Sequence, residues 1–382
     1  MSKSFNADSF DFEKEFEKVN KEIKKPNILI CGATGVGKSS FVNEVFGKNI
    51  AEVGTGKPIT RHVMRYEDKE LSVILYDSEG YEIGKEKQKY YKEEIIGVID
   101  KYKNENPINL EKHIHEVWYF ISAANKRITE TDVEVVNLII KKNVPIAIVM
   151  TQIDNVDEDE LNELCKVINN DFKNVKYFTV CVTDNEEIAE AVKPYNQKKQ
   201  LLEWANDNLT DSLKEGFIIS VYNNLEMVKK YVNKKIIPIY VTNSATVAAV
   251  PIPFADSTLL TPIQLAMSAH IMKTYGINKC KSAITSVISS TIISQIGKVL
   301  AKTLAGNFIK LIPGLGSVVG SGINVTVAGT LTAAVGYTIS ELSYKYSKSV
   351  LDGEPIPLDE IFNAEIIKEN IKDFYKSGEK YE

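Results

Sequence analysis

The sequence predicts an α/β fold: a doubly wound, mainly parallel sheet with one antiparallel strand, followed by an all-α helical domain. Three observations carry this. Between Asn27 and about Leu209, short apolar runs alternate with helix-like stretches, the pattern of strands joined by crossover helices that cover both faces of a sheet. Two of those runs, "HVMRYE" and "LSVILYD", are separated by a short polar stretch around Asp68 and Lys69, which predicts an antiparallel hairpin. After about Leu213 the strand pattern stops, and segments rich in Ala, Ile, Val, Ser and Gly continue with helical character.

The elements follow in order. Phe12, Phe16, Val19 and Ile23 recur at helical spacing among charges, predicting an amphipathic helix within residues 1–25 that packs on the domain after it and ends at Pro26. Residues 26–212 form the α/β domain, with strands at "NILICG", "HVMRYE", "LSVILYD", "EVWYFIS", "IAIVMTQ" and "YFTVCV". Helices are predicted over about Gly84–Lys103, Ile128–Lys142, Glu158–Phe172 and Asn196–Leu209. Residues 213–348 make the Gly/Ala-rich helical domain, and residues 349–382 a linker, a docking helix and a tail. In such sheets ligands sit at the carboxyl ends of the strands.

Composition narrows the function. The chain of 382 residues is 44% hydrophobic and 25% charged, with a net charge of −5. Only three arginines occur, Arg61, Arg65 and Arg127, so no nucleic-acid partner is expected. The four cysteines are far apart and form no CxxC pair, which reads as reduced cytoplasmic thiols. His113 and His115 form an HxH without nearby Cys or His partners, a structural pair rather than a metal site. The N-terminal stretch is acidic and lacks the apolar segment of a signal peptide.

The sharpest motif is "GATGVGKS", Gly32 to Ser39, which fits G-x-x-x-x-G-K-[ST] between a strand and a helix. Glycines let the backbone wrap, so the N–H groups of Ala33, Thr34, Gly35, Val36 and Gly37 can face phosphate oxygens. The helix N-terminus adds positive potential. Lys38 is the candidate for the β- and γ-phosphates, Ser39 for Mg²⁺, and Ser40 for the α-phosphate. "DSEG", Asp77 to Gly80, places a carboxylate at a strand end, where it can hold the metal, and a glycine whose N–H can reach the γ-phosphate. Between the two motifs Thr55 and Thr60 are available, and Thr60, just before the second strand, is the expected third metal ligand. At the end of another strand "TQID" puts Thr151, Gln152 and Asp154 where a base would lie. Asp154 can accept hydrogen bonds from guanine N1–H and its exocyclic amine, a donor pair adenine lacks.

In this order the motifs resemble those of the P-loop GTPases of the translation-factor class, Era-like branch, over about residues 27–210. The resemblance implies GTP/GDP and Mg²⁺ as ligands. It also implies a fifth motif that meets the base through backbone N–H groups, for which Cys181 and Val182 are the best counterpart. Gln152 stands where the family has lysine, and its stem can still cover the base. The second half resembles an uncharacterised helical domain attached to bacterial GTPases, over about residues 213–346.

The expected activity is slow hydrolysis of GTP to GDP and phosphate, coupled as a switch to the helical half. The alternative is a GTP-dependent assembly or membrane module with incidental turnover. Tyr81 replaces the glutamine that usually orients the attacking water, and Arg61, beside Thr60, is the best-placed arginine for a catalytic role. Arg127 instead suits a local pair with Asp132. Self-association or a protein partner through the switch face is expected. Membrane contact through residues 241–340 is the alternative, argued from the uncharged run Leu311 to Ser340 and the GxxxG of Gly316 and Gly320. Pro313, Gly314, Asn324 and a mean hydropathy of −0.14 favour a packed bundle.

Overall fold

The computed structural model describes residues 10–47, 57–60, 63–68, 71–81, 85–248, 256–278, 282–300 and 323–377. The chain divides into two compact units. One comprises residues 23–221, the other residues 1–22 with 222–382.

The first unit carries a seven-stranded sheet: β1 (Asn27–Gly32), β2 (Lys57–Pro58), β3 (Val63–Tyr66), β4 (Ile74–Ser78), β5 (Glu116–Ser122), β6 (Ile146–Thr151) and β7 (Lys176–Thr179). The order is β2-β3-β4-β1-β5-β6-β7. β4, β1, β5, β6 and β7 pair in parallel, and β3 runs antiparallel to β4 with Val63 opposite Ser78 and Met64 opposite Asp77. The predicted hairpin and parallel core are therefore both present. β2 adds a two-residue strand antiparallel to β3. It is too short for any periodicity to reveal.

β1, β5 and β6 are buried along their whole length, so each reads as a continuous apolar run rather than an alternation. Period-two geometry still sorts the side chains. From β5, Trp118 and Phe120 meet Phe41 of α2 (Lys38–Phe46), and Phe46 stacks on Trp118. Val117, Tyr119 and Ile121 join the opposite core with Tyr91, Ile95, Val98 and Ile99 of α3 (Lys85–Glu105) and with Val135, Val136 and Ile139 of α4 (Glu130–Ile140). α5 (Glu158–Asp171) adds Leu161, Leu164 and Ile168 to that face and begins with a capping box from Asp157 and Glu160. A further short helix, α6 (Glu186–Val192), precedes α7 (Lys198–Asn208); it packs only the partly buried Ile188 and Val192 on the core, a stripe of two residues too short to announce a helix.

Two expectations need correction. α1 (Phe12–Glu22) buries Phe12, Phe16 and Val19, as the stripe requires, but it belongs to the helical unit and packs on α11 (Asp256–Thr274). A stripe fixes which face is buried, not which surface receives it. The helix also ends at Glu22, ahead of Ile23 and Pro26. The boundary after residue 212 also moves. α8 (Asp211–Ser220) stays with the sheet, where a Cβ on Gly216 would lie 2.4 Å from Lys24 O and 2.7 Å from Ser72 O.

The second unit continues with α9 (Leu225–Tyr231), which runs through a π-helical turn at Val232–Ile236 into α10 (Ile237–Ala248). α11, α12 (Ser282–Leu300), α13 (Ile323–Leu351), α14 (Leu358–Ile361) and α15 (Ala364–Ser377) follow among the described residues. α13 is central, packing on α10, α11 and α15. Its interior mixes apolar groups with small hydroxyls: Gln264 Nε2 donates to Thr332 Oγ1 at 3.1 Å, and Ser340 Oγ donates to Asn233 Oδ1 at 3.1 Å. Tyr337 of α13 stacks on Phe374 of α15, so the C-terminal helix is part of this unit. Among the described residues no helix is long and apolar enough to cross a membrane. Gly316, Gly320 and Pro313 lie outside the described residues.

The HxH pair is structural in geometry. His115 Nδ1 accepts the Asn27 N–H at 2.8 Å while its Nε2 lies 3.1 Å from Leu110 O, and His113 Nε2 lies 2.7 Å from Asn106 O. An acceptor Nδ1 requires the neutral ring, and burial pulls the His115 pKa down to about 4. The unfolded chain takes up this proton near pH 6.5. The stability that neutral His115 contributes is therefore complete above about pH 6.5 and lost as pH falls towards 4. Urea-unfolding midpoints between pH 7 and 4 should fall with a steeper slope in the unmodified protein than in His115→Gln.

Candidate functional site

The loop between β1 and α2 turns through two left-handed glycines, Gly35 at φ 79° and Gly37 at φ 85°. That path curls the backbone around the Lys38 side chain. Lys38 is only 8% exposed, and its Nζ donates to Ala33 O at 2.9 Å and Gly32 O at 3.2 Å. Burial lowers its pKa, and the charge of Asp77 opposes that shift. Ser39 and Ser40 follow at the exposed start of α2.

The loop is tied down from three sides. Gly32 N–H donates to Tyr91 Oη of α3 at 2.8 Å. Thr151 Oγ1, at the end of β6, donates to Val36 O at 2.5 Å. Gln152 takes a left-handed φ of 55°, and its Nε2 donates to Gly35 O at 3.3 Å while its Oε1 accepts from Ser122 Oγ. The "TQID" segment thus braces the loop as well as following the strand.

Asp77 closes the opposite side. Burial raises its carboxyl pKa to about 6 against the pull of Lys38. Its Oδ1 is buried and has no hydrogen-bond partner among the described residues. It borders a cavity of about 30 Å³ lined also by Lys38, Ser39, Asn43 and Tyr66. An unpartnered carboxylate oxygen on a residue that lines so small a space together with a serine fits a hard cation with oxygen ligands. Thr60 sits in the turn into β3, where its Oγ1 accepts the Val63 N–H at 3.1 Å, and Val63 pairs with Ser78. Thr55 and Arg61 lie outside the described residues.

Gly80 presses on the loop itself. A Cβ there would lie 2.2 Å from Thr34 N and 2.4 Å from Ala33 C. Thr34 Oγ1 donates to Gly80 O at 2.8 Å, Thr34 N–H donates to Tyr81 O at 3.3 Å, and Ala33 and Tyr81 form an isolated parallel bridge. Tyr81 turns inward. Its Oη donates to Asp132 Oδ1 at 2.7 Å and lies 3.0 Å from Thr129 Oγ1. Asp132 takes its hydrogen bonds from Thr129, Tyr81 and Tyr119 rather than pairing with Arg127.

At the far end, Asp154 stands exposed in the turn after β6, where Asn155 Nδ2 donates to its Oδ2 at 3.2 Å. Cys181 Sγ donates to Asp154 Oδ1 at 3.4 Å. Burial, with the Asp154 charge behind it, pushes the thiol pKa up to about 12. "CVT" therefore meets "TQID" across the ends of β6 and β7, with Val182 next in the chain and exposed. All the described motif residues converge on one edge of the sheet, the carboxyl ends of its parallel strands.

Residues 27–152 match the family described as 50S ribosome-binding GTPase. Over 153 residues the chain is 31% identical to a probable GTP-binding protein EngB of Caldanaerobacter subterraneus subsp. tengcongensis, covering 38% of this chain and 74% of that protein. The chain belongs to the P-loop GTPase family. A probable EngB of Mycoplasmopsis synoviae is 28% identical over 145 residues, covering 38% of this chain and 73% of that protein. Among solved structures, a probable GTP-binding protein EngB aligns with 47% of this chain and 99% of its own at 16% identity and a TM-score of 0.32. A point variant of Aquifex aeolicus Era bound to GDP·AlF₄⁻ aligns with 45% of this chain and 56% of its own at 20% identity and a TM-score of 0.27.

Sequence reasoning missed Tyr91, Ser122, Thr129, Tyr119 and the role of Asp132 in this GTPase. Only Thr129 and Asp132 left a signal, the T-x-x-D capping box at the start of α4. The others are ordinary strand and helix residues whose partners are set by tertiary packing. The close seat of Gly80 gives a direct test. Gly80→Ala must displace the loop from backbone atoms that cannot yield, and the urea-unfolding free energy of the sheet unit should fall by about 1–3 kcal/mol.

Proposed function

We propose that the protein binds GTP with Mg²⁺ and hydrolyses it slowly to GDP and phosphate, acting as a switch coupled to its helical unit. The observation that carries this is the buried Lys38 held by the loop carbonyls, lining one small cavity with Asp77, whose Oδ1 has no hydrogen-bond partner among the described residues. Lys38 would exchange Gly32 O and Ala33 O for phosphate oxygens. The N–H groups of Ala33, Gly35, Val36 and Gly37 would hold the β-phosphate, that of Thr34 being given to Tyr81 O, and Ser40 would meet the α-phosphate. Ser39, Asp77 and Thr60 would hold the metal, which supplies charge stabilisation at the transferring phosphoryl group. Gly80 N–H would contact the γ-phosphate. Asp154 would read guanine, with Thr151 and Gln152 bracing the loop and Cys181 and Val182 offering backbone N–H groups.

Slow turnover follows from Tyr81. Its hydroxyl is committed to Asp132, so no side chain at that position aligns the attacking water. Backbone groups, Arg61 or a partner would have to supply the alignment. The same observation favours a second reading, in which GTP holds an assembly together and turnover is incidental. A second copy or another protein on the switch face is the expected partner, and membrane contact by the helical unit the alternative. Cleavage measured over rising protein concentration separates the two readings, because only an assembly-activated hydrolase accelerates.

Lys38→Ala should weaken GTP binding by about a hundredfold or more, since it removes a charge-assisted contact with no neighbour to replace it. Equilibrium titration with a fluorescent GTP analogue reads this, and wild-type affinity in the variant would place the phosphates elsewhere. The unmodified protein should prefer GTP over ATP. Asp154→Asn should lose GTP and gain xanthosine triphosphate, whose 2-oxo group accepts a hydrogen bond. Competition titration of the three nucleotides against both proteins decides the base assignment.

A further inference from the structure

Asp132 does more than cap α4. A capping box needs one carboxylate oxygen, and Oδ2 already fills that role by accepting Thr129 N–H at 2.9 Å and Thr129 Oγ1–H at 2.7 Å. Oδ1 collects two phenols from elsewhere in the fold: Tyr119 of β5 at 2.8 Å and Tyr81 of the "DSEG" loop at 2.7 Å. The carboxylate is 4% exposed and Tyr81 9% exposed, so water does not compete for either bond. Burial and the Asp132 charge raise the Tyr81 pKa, which keeps the phenol a donor. Its ring also packs against Tyr91, whose Oη accepts the Gly32 N–H. On the other side, the backbone of residues 80 and 81 is pinned to the P-loop by Thr34 and by the Ala33–Tyr81 bridge.

We propose that Tyr81 and Asp132 are positioning residues for GTP cleavage: the buried carboxylate anchors the phenol, and that anchor holds the Gly80 backbone in register with the P-loop. The inference rests on the hydrolase reading above. The residue that follows Gly80 does not act on water; it fixes the loop that carries the γ-phosphate contact. Preorganisation of this kind acts on the chemical step, where a loose donor loses stabilisation, and hardly on GDP, which offers Gly80 nothing to hold. The two residues act as one unit, so their effects do not add.

The test uses the full chain with Tyr81→Phe, Asp132→Asn and the double variant. Tyr81→Phe removes one oxygen and keeps the ring, so it remains informative if an Asp132 variant fails to fold. Single-turnover GTP cleavage should fall about tenfold in each, with the double variant no slower than the slower single, while GDP affinity stays within twofold. Hydrogen exchange should rise in the peptide spanning residues 74–81 and not in α5. Wild-type cleavage by Tyr81→Phe, a loss of GDP affinity equal to the loss of rate, or unchanged exchange over residues 74–81 would overturn the anchor. An unmodified protein that binds no GTP would sink the hydrolase reading alone, because the exchange measurement still decides whether the phenol holds the loop.

Discussion

A lysine charge buried at the carboxyl edge of the sheet is the constraint on which the rest of that edge depends. An ammonium withdrawn from water is destabilising unless acceptors surround it. Lys38 finds them in the carbonyls of Gly32 and Ala33, which point inward because the loop curls through Gly35 and Gly37. The same curl that turns those two carbonyls onto the ammonium leaves the Gly32 N–H to Tyr91 Oη and the Thr34 N–H to Tyr81 O, so the loop's path is set by contacts on both sides of it.

That conformation has to be held. Tyr91 fixes the first glycine, Thr151 fixes Val36, and Gln152 fixes Gly35. The three braces come from α3 and from the end of β6, so the parallel order of β1, β5 and β6 is what brings the "TQID" segment to the P-loop. Asp77 arrives from β4, on the other flank of β1, and shares the low-dielectric space with Lys38. Burial penalises both charges, and each relieves the other. Raised to about 6, the Asp77 carboxyl remains largely ionised at neutral pH, the state that metal coordination requires.

The parts legible in the sequence were those encoded by local pattern. Six of the seven strands are apolar runs long enough to read, and the glycine spacing with Lys38 and Ser39 is meaningful only between a strand and a helix. What stayed hidden was pairing at a distance. Phe12, Phe16 and Val19 announce a buried face but are silent on α11 as its receiver. The end of the sheet unit lies beyond residue 212 because Gly216 fits against the carbonyls of Lys24 and Ser72, a contact no propensity encodes. Gln152 was read as a platform for the base. Its amide also ties the P-loop to Ser122, which depends on a left-handed backbone that glutamine rarely takes.

The Tyr81 substitution changes what the "DSEG" loop can respond to. A solvent-facing glutamine would leave the loop free to reorient around the phosphate. A phenol bonded to a buried carboxylate couples it instead to the first turn of α4 and, through Tyr119, to the middle of β5. Any displacement of Gly80 must then either break a charge-assisted hydrogen bond shielded from water or carry the start of α4 with it. Opening that network leaves Asp132 a buried carboxylate short of a donor, so intermediate positions are disfavoured and the loop has few stable seats. A contact that moved α4 would therefore act on Gly80 without touching the nucleotide, along hydrogen bonds that run continuously from Thr129 to Thr34.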